Sequence, residues 1–198
     1  MVRDQLADCG DPRVCAALAE VPRHLFLPAE LRASAYDDTA LAIGSGQTIS
    51  QPKVVAAMLA LLGVKAGAHV LDVGAGSGYT AALFARLCAP GGTVLAIERQ
   101  GALVAETRIR LATLAPTVDL RHGDGLEPST TGPYDVIHVG AACDPLPTRL
   151  IALLAPGGRL LAPVGPHGGA QRLLLVADGA QRWLDEVWFV PGLPGAVT

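Results

Sequence analysis

A glycine-rich turn between a short apolar run and an alanine-rich run constrains this chain more than any other feature. Residues 70–79 read VLDVGAGSGY, which predicts a buried strand ending at Val73 and a helix beginning at Tyr79. Glycine permits positive φ and close approach of a ligand to the backbone, because it carries no Cβ. The pattern is typical of a nucleotide-cofactor site, although a turn that merely closes a β-α unit would also contain such glycines.

The spacing of the glycines argues against a dinucleotide. Gly74, Gly76 and Gly78 alternate, whereas the dinucleotide fingerprint places its third glycine three residues after the second, where this chain has a tyrosine. Asp72 precedes the glycines at the strand end. An acidic residue followed by GxGxG resembles the first motif of S-adenosylmethionine-dependent methyltransferases. That resemblance implies that Asp72, Ser77 and the three glycines help to bind S-adenosylmethionine.

The alternation of predicted elements indicates an α/β fold. Further buried strands are predicted at residues 93–97, 118–120, 134–139 and 159–164. Helices are predicted at residues 2–9, 12–20, 53–62, 79–88, 102–114 and 146–154. This order predicts a doubly wound, mostly parallel sheet with helices on both faces. Proline and glycine at 156–158 predict a turn, and residues 171–177 and 181–190 predict a closing antiparallel hairpin.

Length and composition limit the organisation and the partners. A chain of 198 residues suits one well-cored domain. We expect residues 1–63 to supply N-terminal helices and an active-site loop, and residues 64–198 the cofactor-binding core and the hairpin. The longest apolar run, residues 54–62, is shorter than the roughly 20 residues that span a bilayer, so no membrane partner is expected. The net charge is −3 without a basic run, which argues against nucleic acid.

Cysteine and histidine residues are not arranged as a metal centre. No CxxC pair or histidine at ligand spacing accompanies the four scattered cysteines, Cys9, Cys15, Cys88 and Cys143. We therefore expect buried thiols rather than disulfides, a metal site or a nucleophile. His24 and His138 stand among apolar residues and are expected to be structural rather than catalytic. The charged first residues lack a secretory core, which predicts a cytoplasmic protein.

The stretch LAIGSGQTISQP at residues 41–52 is the second informative segment. Its glycines and hydroxyl side chains predict a loop. Ser50, two residues before Pro52, predicts the N-cap of a helix that ends at Gly63. No histidine or acid stands at a spacing that would activate Ser50 as a nucleophile, so the local pattern favours a cap.

Five segments carry a more specific resemblance over nearly the whole chain. In order they are VPR at 21–23, GQTISQP at 46–52, LDVGAGSGY at 71–79, GDG at 123–125 and FVP at 189–191. They resemble the protein-L-isoaspartate O-methyltransferases, and GQTISQP is the discriminating segment. The resemblance implies that Ser50 is the active-site serine and that Thr48, Ile49 and Ser50 lie against the cofactor. The chain departs from the family by inserting Gly192 before Leu193, so we assign no contact to that tail.

Two acidic strand ends complete the expected cofactor site. Glu98 follows the strand predicted at 93–97, where its carboxylate can accept hydrogen bonds from both ribose hydroxyls. Asp124 and Gly125 follow the next strand. The resemblance implies that they contact the adenine, whereas an Asp-Gly pair alone predicts an ordinary turn.

The resemblance implies an activity as well as a fold. It implies a monomeric enzyme that transfers a methyl group from S-adenosylmethionine to the free carboxylate of L-isoaspartyl residues in damaged proteins or peptides, which starts repair through a succinimide. Three alternatives stay open. They are a pathway-dedicated relative that methylates an aspartyl residue of a modified peptide, a small-molecule methyltransferase, and a non-catalytic cofactor-binding module.

Overall fold

A seven-stranded sheet forms the centre of the computed structural model, which describes residues 10–198. The helix expected at residues 2–9 lies outside the described residues. The helices are α1 (Pro12–Glu20), α2 (Pro52–Leu62), α3 (Tyr79–Cys88), α4 (Gly101–Leu114) and α5 (Thr148–Ile151), with short 3₁₀ helices at Arg23–Phe26 and Ala29–Ser34. The strands are β1 (Leu41–Gly44), β2 (Gln47–Ile49), β3 (His69–Val73), β4 (Thr93–Glu98), β5 (Val118–His122), β6 (Tyr134–Val139), β7 (Leu154–Val164), β8 (Gln171–Ala177) and β9 (Ala180–Val187).

The order of strands confirms the expected doubly wound, mostly parallel sheet. The order is β5-β4-β3-β6-β7-β8-β9, and the chain reverses direction across the sheet after β5. Strands β3 to β7 pair in parallel, whereas β8 and β9 pair antiparallel as the predicted closing hairpin. The carboxyl ends of β3, β4 and β6 therefore meet at one edge, where ligands bind in sheets of this kind.

Alternate side chains of the central strands build two apolar layers. Val70 of β3 packs in a cluster to which helices α1 to α4 contribute, whereas Leu71 and Val73 belong to a second cluster that includes Leu150 of α5. The central strands are buried on both faces, which explains why their sequences are almost continuously apolar. Asp72 is the exception in β3, because its carboxylate is fully buried on the side of the first cluster.

Two local predictions near β7 were wrong, the turn at residues 156–158 and the helix at residues 146–154. Strand β7 begins at Leu154 and includes residues 156–158, which were expected to form a turn, and the preceding helix is only the four residues of α5. Tyr134 pairs with Leu154 and Val136 with Arg159, so the extra residues of β7 are accommodated as a bulge. Gly157, with φ of 76°, supplies the bend within the strand. Strand β9 ends at Val187, three residues before the predicted end.

The segment expected to be a loop at residues 41–52 instead contains a small antiparallel hairpin. Strands β1 and β2 pair from Leu41 with Ile49 to Gly44 with Gln47. Ser45 and Gly46 form the turn with positive φ values of 51° and 70°. The hairpin gives Thr48 and Ile49 an extended backbone, and Ser50 follows them shortly before α2.

The prediction that Ser50 caps α2 is wrong. The helix begins at Pro52, and Gln51 stands at the N-cap position without a side-chain hydrogen bond. Instead, the backbone N–H of Lys53 donates to Oδ1 of Asp38 at 3.0 Å, and the same carboxylate lies 3.5 Å from Nζ of Lys53. A residue far back in the chain thus supplies the cap, which local spacing cannot reveal. Gly63 ends the helix in the left-handed region, as predicted.

The expectation of thiols holds for two cysteines and fails for a third. Cys88 and Cys143 are free and buried, whereas Cys15 is disulfide-bonded. A disulfide requires only that two Cβ atoms approach to about 3.8 Å, which the absence of a CxxC pair does not exclude. Between residues 10 and 198, no helix is both long and apolar enough to cross a membrane.

Removal of the Asp38 cap should destabilise the protein. We expect Asp38→Ala to lower the free energy of unfolding by about 1 kcal/mol, because an orphan N–H at the start of α2 loses its acceptor. Asp38→Asn keeps an oxygen at the same position and should lose less. Ser50→Ala should change stability by less than about 0.5 kcal/mol. Urea denaturation of the three variants measures these differences. If Ser50→Ala lowered the free energy of unfolding as much as Asp38→Ala, Ser50 would be the cap after all.

Candidate active site

The glycine turn is fixed to the end of strand β4. The backbone N–H groups of Gly74 and Ala75 both donate to the carbonyl oxygen of Ile97, at 2.8 and 3.1 Å. Gly74, Gly76 and Gly78 have φ values of 81°, 53° and 86°. Only glycine adopts this region without strain, so the three alternate glycines fold the chain sharply from β3 into α3.

Helix α4 supports the turn from behind. The hydroxyl of Thr107 donates to the carbonyl oxygen of Gly76 at 2.7 Å. A Cβ on Gly78 would lie 2.8 Å from Cγ2 of the same threonine, so α4 can pack this closely only against glycine. Gly78 therefore has a packing role, and it lines neither of the cavities described below.

Glu98 connects the turn to the start of α4. Its side chain is 4% exposed at the end of β4. Oε2 accepts from the backbone N–H of Gly76 and Oε1 from that of Gln100, both at 2.8 Å. Each carboxylate oxygen has a second lone pair, so Glu98 can accept two more hydrogen bonds from a ligand.

Two adjoining cavities lie over the turn at the carboxyl edge of the sheet. We call them the serine cavity and the acidic cavity. Both are lined by Thr48, Gly74, Gly76 and Gly140, so they share one wall. The serine cavity is also lined by Ile49, Ser50, Ser77, Tyr79 and His138. The acidic cavity is also lined by Glu98, Asp124, Gly125 and residues 191–193.

The structure thus brings together most of the residues that the sequence indicated. Asp72 is the second exception after Gly78, because it lies behind the cavity wall. Its Oδ1 lies 2.7 Å from Nδ1 of His138, and both side chains are buried. His138 is hydrogen-bonded, as expected of a structural histidine, yet it also lines the serine cavity. His24, in contrast, bonds Tyr36 at 2.7 Å and lines none of the cavities described here.

Asp124 holds two segments of backbone. Its Oδ1 accepts from the N–H groups of Leu126 and Glu127 at 2.9 and 3.3 Å, which is the ordinary turn that an Asp-Gly pair predicts. Its Oδ2 accepts from the N–H of Gly195 at 2.6 Å. The expected contact between Asp124 and adenine remains a prediction, and this carboxylate also anchors the C-terminal segment.

The C-terminal segment, residues 191–198, forms part of the acidic cavity. Arg99 donates from Nε to the carbonyl oxygen of Gly195 at 2.9 Å and from Nη2 to that of Pro194 at 3.2 Å. The backbones of Arg99 and Val197 are also hydrogen-bonded at 2.7 Å. Gly192 packs so closely that a Cβ would lie 2.7 Å from the carbonyl oxygen of Ala142. Nothing in the sequence pattern predicted these contacts, since they join residues at least fifty positions apart.

A buried arginine lies against the tyrosine of the serine cavity. The guanidinium of Arg23 is fully buried 5.3 Å from the ring centroid of Tyr79, and its Nε donates to the carbonyl oxygen of Ala35 at 2.8 Å. Burial lowers the pKa of Arg23 and raises the pKa of Tyr79. Tyr79 therefore stays a neutral phenol at physiological pH.

Nucleophilic cysteine chemistry does not fit this site. Burial raises the pKa of Cys143 to about 12 and also raises the pKa of Cys88, so both remain thiols near neutral pH.

Within the described part of the chain, histidine, cysteine and acidic residues form no group of three that could hold a metal ion.

A third space leads from Ser50 to the protein surface. It is lined by Ser50, Gln51, Val54, Gly140 and residues 186–190. We call it the surface groove. Trp188, in its wall, is 74% exposed, which is unusual for so large an apolar side chain. Ser50 and Thr48 line both the surface groove and the serine cavity.

Comparison with known proteins gives one consistent family. The family model described as protein-L-isoaspartate(D-aspartate) O-methyltransferase (PCMT) matches residues 2–193. The protein-L-isoaspartate O-methyltransferase of Methylorubrum extorquens (strain PA1) is 46% identical over 100% of this chain and 89% of the relative. That of Halorhodospira halophila is 48% identical, with 98% of this chain and 93% of the relative covered.

A solved structure agrees with this family over almost the whole chain. It is a crystal structure from Plasmodium falciparum described as a protein-L-isoaspartate O-methyltransferase in complex with S-adenosyl-L-homocysteine. The TM-score is 0.83 at 27% identity, and the match covers 97% of this chain and 96% of the other.

Proposed function

This chain belongs to the protein-L-isoaspartate O-methyltransferase family, and from that premise we propose that it methylates the free carboxylate of L-isoaspartyl residues in damaged proteins or peptides. S-adenosylmethionine supplies the methyl group as a sulfonium substituent. The observation that carries the proposal is the wall shared by the two cavities, which sets Ser50 close to a pocket with the features of a nucleoside site. We propose that the whole chain acts as one methyltransferase domain. The cytoplasmic location and the monomeric state remain expectations from the sequence.

The acidic cavity fits the nucleoside part of the cofactor. Glu98 has one free lone pair on each carboxylate oxygen and would accept both ribose hydroxyls. Gly125 and Asp124 lie farther along the same wall, where we place the adenine. Gly74 and Gly76 line both cavities without a Cβ and would contact the part of the cofactor that joins the nucleoside to the methyl group. Ser77, Thr48 and Ile49 would complete that wall.

The reaction requires little from the protein beyond positioning. A carboxylate, with a pKa of about 4 in model compounds, is already ionised at neutral pH, so no general base is needed. The carboxylate oxygen forms the new bond to the methyl carbon. The electron pair of the broken carbon–sulfur bond stays on sulfur, so no proton moves. Holding the reacting atoms in line contributes about 7–11 kcal/mol in well-oriented systems.

We assign Ser50 the positioning of the acceptor carboxylate. Because Asp38 caps α2, the Ser50 hydroxyl is not needed by the helix and can donate to an oxygen of the substrate. The surface groove would hold the polypeptide on either side of the isoaspartyl residue, with Trp188 contacting a neighbouring side chain. The methyl ester product then closes to a succinimide spontaneously, because methoxide leaves more readily than hydroxide.

The substrate assignment is tested with two peptides that differ only in the linkage of one residue. One contains L-isoaspartate and the other L-aspartate at the same position, and transfer of labelled methyl groups is counted. We expect transfer to the isoaspartyl peptide alone, because Ser50 and the groove must present a carboxylate one methylene closer to the backbone. Labelling of the aspartyl peptide would favour a pathway-dedicated enzyme, and labelling of neither would favour a small-molecule enzyme or a binding module.

Ser50→Ala should separate catalysis from stability. The change removes a hydrogen bond to a charged group, worth about 1.5–3 kcal/mol, so kcat/KM for the isoaspartyl peptide should fall by about one to two powers of ten. Ser50→Asp should be slower still, because it sets a second negative charge against the substrate. Ser129→Ala, an exposed serine that lines none of the three cavities, serves as the control. A Ser50→Asp enzyme that is stable and fully active would remove Ser50 from the mechanism.

A further inference from the structure

Asp72 and His138 form a buried pair at the back of the serine cavity. Strands β3 and β6 are neighbours and place these two residues directly opposite each other, so that their side chains share one face of the sheet. Nδ1 of His138 and Oδ1 of Asp72 are 2.7 Å apart, and the residues are 5% and 0% exposed. The position of His138 is thus fixed by the register of the sheet rather than by a flexible loop.

The environment of Asp72 determines which nitrogen of His138 binds the carboxylate as a donor. Oδ2 of Asp72 is buried and has no hydrogen-bond partner among the described residues. A buried carboxylate is strongly destabilising unless a donor or cation compensates it, so Nδ1 of His138 carries its proton and donates it to Asp72. Nε2 is then left for another partner.

The remaining edge of the imidazole is directed to the serine cavity. The ring packs against Phe84 with 5.5 Å between centroids, and His138 lines the cavity together with Ser50. No group in residues 10–198 forms a hydrogen bond with Nε2. A Cβ on Gly140 would lie 3.5 Å from Cε1 of His138, so Gly140 is next to this side of the ring.

His138 differs from the other residues that line the serine cavity in the charge that its side chain can carry. No lysine or arginine is among the residues that line the serine cavity. The titratable groups that face His138 are Asp72 from β3 and Tyr79 from α3, while α2 contributes only Val55, Met58 and Leu59. An anionic acceptor that enters this cavity therefore meets only one side chain that can become positively charged.

We propose that the imidazolium of His138 donates a hydrogen bond from Nε2 to the acceptor carboxylate, opposite Ser50, and so selects an anionic acceptor. This inference rests on the proposed function. Asp72 is the counter-charge that keeps the buried imidazolium neutralised. Asp72 thereby acts on the substrate through His138 and is a positioning residue rather than a catalytic one.

The chemistry determines which kinetic constant His138 controls. Methyl transfer removes the charge of the acceptor carboxylate, so a hydrogen bond from a cation is stronger before the transition state than in it. An interaction of that kind lowers KM without raising kcat. Loss of the hydrogen bond should therefore raise KM for the isoaspartyl peptide by about ten- to hundredfold and leave kcat within about threefold.

Two substitutions separate the two sides of the ring. His138→Asn keeps a donor near the position of Nδ1 and can still bond Asp72, but it presents nothing to the cavity. His138→Gln keeps an uncharged donor near the position of Nε2. We expect the larger rise in KM for His138→Asn and a smaller one for His138→Gln. An affinity for S-adenosylhomocysteine close to wild type confirms that each variant is folded and binds the cofactor product. The melting temperature should stay closer to wild type for His138→Asn than for His138→Gln, because His138→Gln leaves the buried carboxylate of Asp72 without its donor.

A rise in KM at nearly constant kcat is the result that a merely structural role of His138 would not produce. The inference is overturned if both variants keep the wild-type KM, or if only the affinity for S-adenosylhomocysteine changes. A wild-type enzyme that does not methylate the isoaspartyl peptide would overturn the proposed function, and this inference with it.

Discussion

The hydrogen bond from the N–H of Gly76 to the carboxylate of Glu98 is the contact on which the site depends. It ties the turn after β3 to the end of the neighbouring strand, while the second carboxylate oxygen holds the start of α4 through Gln100. A single buried side chain thereby fixes the glycine turn, the entrance to α4 and the wall between the two cavities. The same carboxylate retains two lone pairs for a ligand, so Glu98 can hold the turn and bind the ligand at the same time.

Local patterns predicted the parts of the fold that are formed by local interactions. Strands β3, β4 and β6 are short apolar runs followed by glycine or acidic residues, and the structure places them as expected. The predictions of a Ser50 cap and of a turn at residues 156–158 were wrong, because each local structure depends on a distant partner. The cap of α2 comes from Asp38, and the bulge in β7 follows from its register with β6. Propensity at Ser50 or at residues 156–158 contains no information about such partners.

The sequence also predicted only part of the candidate site. Ser50, Glu98 and Asp124 line the cavities at which the motifs placed them. The contribution of the C-terminal segment could not be predicted, because Arg99 reaches Gly195 across the fold and the inserted Gly192 changes the pattern of the family. The pairing of Asp72 with His138 was also hidden, since it follows from the order of strands and not from spacing along the chain. Long-range register thus determines several of the polar contacts that distinguish this site.

The central claim, that Glu98 binds the ribose of the cofactor while holding the glycine turn, is tested most directly by calorimetric titration of S-adenosylhomocysteine into the wild type and into Glu98→Gln. Glutamine keeps the size of the side chain but loses the charge and part of the accepting capacity. We predict that the wild type binds, that Glu98→Gln binds at least about tenfold more weakly, and that NAD binds to neither. Equal affinity of the two proteins for S-adenosylhomocysteine, at equal melting temperature, would contradict the account.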